Sequence, residues 1–99
     1  MINECTIHIG LLKVAIFIPG AQSLKEKRFV VKSLKDKLKN NFNASISEID
    51  NQDKWQTAVI GAAVLGTDRK SMDATMQQMV SFMEGLMTFQ ITDYSVEFI

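Results

Sequence analysis

In 99 residues the chain has one cysteine, one histidine, one proline and one tryptophan, and its formal net charge is zero. A lone cysteine, Cys5, excludes an internal disulfide framework and fits a reducing compartment. Apolar runs are short and broken by Gly or Lys, well under the roughly 20 residues that a membrane-spanning helix needs. No basic stretch followed by an apolar run opens the chain, so no signal peptide is expected. Long polar or low-complexity tracts are also missing, and 46% hydrophobic residues against 22% charged ones argue for a folded chain rather than a disordered one. The expectation is a single cytoplasmic domain spanning residues 1–99, with no contact to membrane, and a core as small as its length allows.

What is present orders itself into alternating elements. "IHIGLLKVAIFI" (7–18) is rich in β-branched and aromatic residues and stops at "PG", as a strand does. "SLKE" (23–26) has the spacing of a capping box: the Ser23 hydroxyl accepts from the backbone three residues on, and the Glu26 carboxylate reaches back to the Ser23 N–H. Leu24, Val30, Val31, Leu34, Leu38 and Phe42 then share one helical arc, and Asn40 and Asn41 suit a left-handed end. Residues 43–49 read as a shorter, more polar strand, 50–54 as a turn and 55–66 as a third strand. Asp68 caps a second helix, along which Met72, Met76, Met79, Met83 and Leu86 form a stripe that fills a core. Residues 88–99 make the last strand, with a bulge expected at Thr92 or Asp93, where the apolar residues change parity.

The order βαββαβ is that of the ferredoxin-like sandwich, an α+β fold. It implies a four-stranded antiparallel sheet, strand order 4-1-3-2, with two helices on one face. Strands one and three are the most continuously apolar, as central strands are. On strand one Leu12, Val14, Ile16 and Ile18 point one way, while Ile9, Leu11, Ala15 and Phe17 point the other, with Lys13 the single charge among them. Two helices cover one face only, so the open face is expected to be an apolar patch through which the protein forms homo-oligomers.

The neutral total conceals a segregation. Residues 25–39 hold seven basic residues against two acidic ones, a net of +5, and the rest of the chain carries the compensating −5. On a wheel of 100° per residue Lys35, Arg28, Lys39, Lys32 and Lys25 fall in one stripe about 80° wide beside the apolar arc. Phe29 flanks that stripe, where a ring can stack on a base. The plain alternative is a solvated helix face, although such a face normally mixes both signs. Lys37 lies on the far side. Lys27 falls inside the apolar arc, either snorkelling past the sheet edge, pairing with an acid on strand two, or serving as a functional cation at the helix–sheet junction.

Other constellations carry less. Glu48, Asp50 and Asp53 cluster at the hairpin, with Glu48 and Asp50 on one face by strand alternation, yet they lack the glycine and the final Glu of a calcium loop. Charge partnership with the basic helix is the better reading. Trp55 is expected to anchor packing. Gly61 and Gly66 have the glycine spacing of a phosphate-binding loop, but Thr67 and Asp68 stand where its Lys and Ser/Thr belong, so Gly61 reads as close helix–sheet packing. Cys5 and His8, if strand one reaches them, face opposite ways, which disfavours a nucleophilic pair. No catalytic residue, metal site or cofactor is expected.

"PGAQSLKEKR" (19–28) and "ISEIDNQDKWQTAVIGAAV" (46–64) together resemble the YlxP-like family, a bacterial domain family of unknown function; Glu48, Asp53, Trp55 and Gln56 belong to the most specific part of the likeness. The chain differs at Phe29, where a polar or basic residue is the expectation. The resemblance implies a ferredoxin-like domain, and the family's gene neighbourhoods with translation initiation factor two and the ribosome-binding factor point toward the ribosome. The combined expectation is a non-enzymatic module that contacts structured RNA, ribosomal RNA among the candidates, through Lys25, Arg28, Phe29, Lys32, Lys35 and Lys39, with no evident DNA specificity. The rival expectation is a protein-interaction or structural module that uses the open sheet face.

Overall fold

The computed structural model describes residues 2–99. After a short 3-10 segment, Ile2–Glu4, the elements run β1 (His8–Phe17), α1 (Leu24–Asn41), β2 (Ser45–Asp50), β3 (Thr57–Gly66), α2 (Arg69–Glu84) and β4 (Gln90–Phe98). All neighbouring strands are antiparallel, in the order β2-β3-β1-β4. This is the ferredoxin-like βαββαβ arrangement, with the expected central and edge strands.

Alternation divides the sheet into two faces. Leu12, Val14 and Ile16 of β1 and Ala58, Ile60, Ala62 and Val64 of β3 are buried beneath the helices, with Ile18 just beyond β1. From above, α1 contributes Val31, Leu34 and Leu38, and α2 contributes Met72, Met76, Met79, Val80 and Met83. The methionine stripe is core filling, since Met76 and Met79 are fully buried. α1 packs over β2, and α2 over β1, β3 and β4. Phe42 and Phe82 close the seam between the helices edge to face, with ring centroids 5.6 Å apart.

Two bulges adjust the register. Ala15 pairs with Asp93 and Ile16 with Ile91, leaving Thr92 outside the ladder at the expected place; its Oγ1 donates to the Ala15 carbonyl at 3.2 Å. The second, unexpected bulge lies in β2, where Glu48 pairs with Ile60 and Asp50 with Val59. Regular alternation from Ile46 keeps Glu48 on the helix side, and the extra residue, Ile49, moves Asp50 to the other face, so the two acids do not share a face as strict alternation predicts.

Three further expectations are corrected. α1 runs on to Asn41 and ends at Phe42 with extended backbone, φ −136°, rather than in a left-handed asparagine. Gly61 pairs with Lys13 on the face away from the helices, and a Cβ there would sit 2.9 Å from Ile49 Cγ2; its small size admits the Ile49 side chain, not a helix. Cys5 precedes β1 and is exposed, so strand parity does not relate it to His8.

The open face carries Leu11, Ala15, Phe17 and Val59, all partly exposed, with Ile9, Ile49 and Leu65 more so. Lys13 and Glu97 are paired on it at 3.1 Å, and Asp93, opposite Ala15, and Asp50, opposite Val59, add two acids to the same face.

Candidate functional site

The first turn of α1 is fixed from three directions. Ser23 has extended backbone, and its Oγ accepts from the Glu26 N–H at 3.1 Å. The Glu26 carboxylate accepts from the Gln22 N–H at 2.6 Å, one residue before the Ser23 N–H that the capping box predicts. Gln56, at the entry to β3, donates from Nε2 to the Ala21 carbonyl at 3.0 Å, and its own carbonyl accepts from the Ile18 N–H at 2.7 Å. The loop 18–23 is thereby stitched to the start of β3.

Lys27 ties the same turn to the hairpin. Its side chain is fully buried, with Nζ 2.6 Å from Glu48 Oε2 and donating to the Asn51 carbonyl at 2.8 Å. The ion pair with an acid of strand two is as expected, whereas snorkelling is not: alternation along β2 points Glu48 inward with Ile46, and the hairpin presents its carbonyls to the ammonium, so the cation need not reach water. Asn51 adopts φ 63°, a left-handed conformation that asparagine tolerates, and this turns its carbonyl-bearing loop over α1.

With α1 so anchored, the stripe faces outward. Lys25, Arg28, Lys32 and Lys39 are exposed and Lys35 is half-buried beside β2. Among the described residues Lys25, Arg28, Lys35 and Lys39 have no ion-pair partner, while Lys32 is paired with Asp36 one turn on at 2.8 Å. The hydrogen bond from Lys32 holds the Asp36 carboxyl below the ordinary carboxylate range, with Lys39 and Lys35 adding to the effect. A shallow groove of about 430 Å³ runs along the stripe, lined by the cations Arg28, Lys32, Lys35 and Lys39, by Val31 and by the acids Asp36 and Glu48. The Lys27 ammonium compensates Glu48, so this carboxylate subtracts little from the groove's positive field.

Phe29 is 78% exposed. Lys25, Arg28 and Lys32 lie four and one residues before it and three after, all on its side of the helix. Beside the ring is a trough of about 870 Å³ whose walls are Ile18, Gly20, Ala21, Val30 and Thr88, with the three cations at its rim. Sequence reasoning identified Phe29 and the cations but not the trough, because its walls come from the β1–α1 and α2–β4 loops, 70 residues apart. The tryptophan is a second correction: Trp55 is 54% exposed at the hairpin, not a packing anchor.

Other groupings do not assemble. Among the described residues no three of His, Cys, Asp and Glu converge as metal ligands do. Asp50 accepts from the Asn51 N–H, a local turn contact. His8 Nδ1 lies 3.4 Å from the Arg69 Nε, and that guanidinium stacks over Phe98 at 5.5 Å. No helix among the described residues is long and apolar enough to cross a membrane.

The profile of a family described as "Protein of unknown function (DUF503)" matches residues 9–96, nearly the whole chain. The chain belongs to the DUF503 family. A relative, "Uncharacterized protein YlxP" of Bacillus subtilis (strain 168), is 38% identical over 76 residues, covering 77% of this chain and 83% of that protein. The likeness read from residues 19–28 and 46–64 is therefore sound. In this DUF503 chain those two segments are the ones that meet in the Lys27–Glu48 and Gln56–Ala21 contacts. The family's description brings no activity to these residues.

Proposed function

We propose that this DUF503 protein is a non-enzymatic, cytoplasmic RNA-binding module that grips phosphates with one face of α1, in a role connected with translation. One observation carries the reading: four cations without ion-pair partners, and a fifth tethered to Asp36, occupy a single face of a helix in a chain with no net charge. Such a field acts on association rather than on folding, and counterion release from RNA turns it into affinity. The acidic remainder of the chain orients the molecule, keeping β4 away from the polyanion.

Salt dependence tests it. Five phosphate contacts on a single strand give a log–log slope of roughly −3.5, and converting Lys32 and Lys35 to Glu reduces its size to roughly 2. Both side chains lie outside the core, so folding is kept. Lys37, on the far side of α1, is the control, and reversing its charge is expected to change little. Equal losses from Lys37 and Lys32 refute the stripe, and no retention of RNA at low salt refutes the function.

A second reading rests on the open sheet face. Its apolar centre, with the Lys13–Glu97 pair beside it and Asp50 and Asp93 toward its edges, fits the same face of a second copy of this chain across a two-fold axis. Leu11→Glu then yields a folded monomer. A wild-type protein that light scattering finds monomeric at high concentration excludes this reading.

A further inference from the structure

We infer that the trough beside Phe29 receives one unstacked base, making the RNA site selective for single-stranded or looped RNA over duplex. This rests on the RNA-binding reading above and adds the form of RNA that the site takes. Three observations carry it. The ring is held out of the core at 78% exposure on a helix whose other apolar residues are buried or half-buried. The trough volume of about 870 Å³ falls within the roughly 300–1,000 Å³ of small-ligand pockets, ample for a nucleoside. Lys25, Arg28 and Lys32 border it, so a base placed against the ring leaves its two flanking phosphates at cations.

The lining also decides what kind of base is read. Ile18, Ala21 and Val30 give apolar contact, and besides the cations the polar side chains of the lining are Thr88 and Glu26, whose Oε2 accepts from the Gln22 N–H. Stacking on the ring and apolar burial are contacts that every base can make, so the trough is expected to accept any of them. A duplex keeps its bases stacked and paired, so it meets the cations but leaves the trough empty.

Gly20 supplies a test independent of the ring. Gly20 lines the trough, nothing lies within 4 Å of a Cβ built there and its backbone is not left-handed, so Gly20→Leu adds apolar bulk at the trough's edge without strain. Fluorescence anisotropy at low salt compares a 12-residue oligoadenylate, the same strand with an abasic central residue, and a blunt 12-base-pair RNA duplex. Phe29→Ala and Gly20→Leu are each expected to weaken oligoadenylate binding about tenfold while leaving duplex binding within about twofold. Lys39→Glu is expected to weaken both. Thermal melting confirms that the variants stay folded. Equal effects on strand and duplex, or no effect from either variant, overturn the trough assignment while the cationic stripe survives. Absence of binding to both RNAs overturns the RNA reading itself.

Discussion

Removing the charge of Glu48 is expected to cost more stability than removing the charge of Lys27, although the two form one ion pair. The Lys27 side chain is 0% exposed and Glu48 is 15% exposed, at the wall of the groove shared with Arg28, Lys35 and Lys39. In Glu48→Gln the ammonium stays buried against the Asn51 carbonyl and a neutral amide, with no route to water. Stranding one member of a buried pair costs about 3–5 kcal/mol, and the retained amide hydrogen bond places this variant near the lower end. In Lys27→Met a flexible apolar chain of similar length refills the space, and the carboxylate turns toward the groove cations. A loss of about 1–2 kcal/mol is expected there. The double variant is expected to lie close to Lys27→Met, because without the ammonium the neutral amide strands no charge; this coupling marks a shared interaction. Against a total of about 5–15 kcal/mol for a domain of this size, all three remain measurable by urea denaturation. If Glu48→Gln lies within about 1 kcal/mol of wild type, or Lys27→Met is the costlier change, the argument that this cation is trapped fails.

Ser23→Ala is expected to lose about 0.5–2 kcal/mol, since Oγ satisfies the Glu26 N–H; an unchanged urea midpoint removes the cap assignment. Gly61→Val is expected to cost about 1–3 kcal/mol by displacing Ile49, and Ile49→Ala in the same chain to recover much of it; thermal melts without that rescue contradict the contact. Asp36→Asn is expected to tighten RNA binding at neutral pH by freeing Lys32 of its partner and removing an acid from the stripe, read as a lower Kd at a fixed low salt concentration. Because the folded Asp36 carboxyl is lowered from 3.8, whatever stability its pairing contributes is present above that value and fades as pH falls through the lowered one. The stability difference between wild type and Asp36→Asn should therefore close on acidification, and a difference that persists or widens contradicts the pairing.

Order and type of the elements were legible from the chain itself, because they follow from local periodicities, and the order βαββαβ with its two most apolar strands then implied the strand pairing. The two-residue alternation of β1 and β3, the helical spacing of the methionines, and the caps at Ser23 and Asp68 each depend on residues close in sequence. The cationic stripe is legible for the same reason: a helix wheel needs no tertiary information. The parity change at Thr92 even located a bulge. What the tertiary structure alone decided are the contacts between segments distant in sequence. The β2 bulge at Ile49 turns Asp50 away from the face that Glu48 shares with Ile46, and no spacing rule announces it, since it answers the match between Ile49 and the space over Gly61. Burial of Lys27 required Glu48 of β2 and the Asn51 carbonyl of the hairpin, 24 residues on. Likewise the trough beside Phe29 exists because the loops at Gly20 and Thr88 arrive at the same end of α1. A residue's own neighbours dictate its element and its face; which distant backbone and side chains meet that face depends on how the whole sheet closes its core.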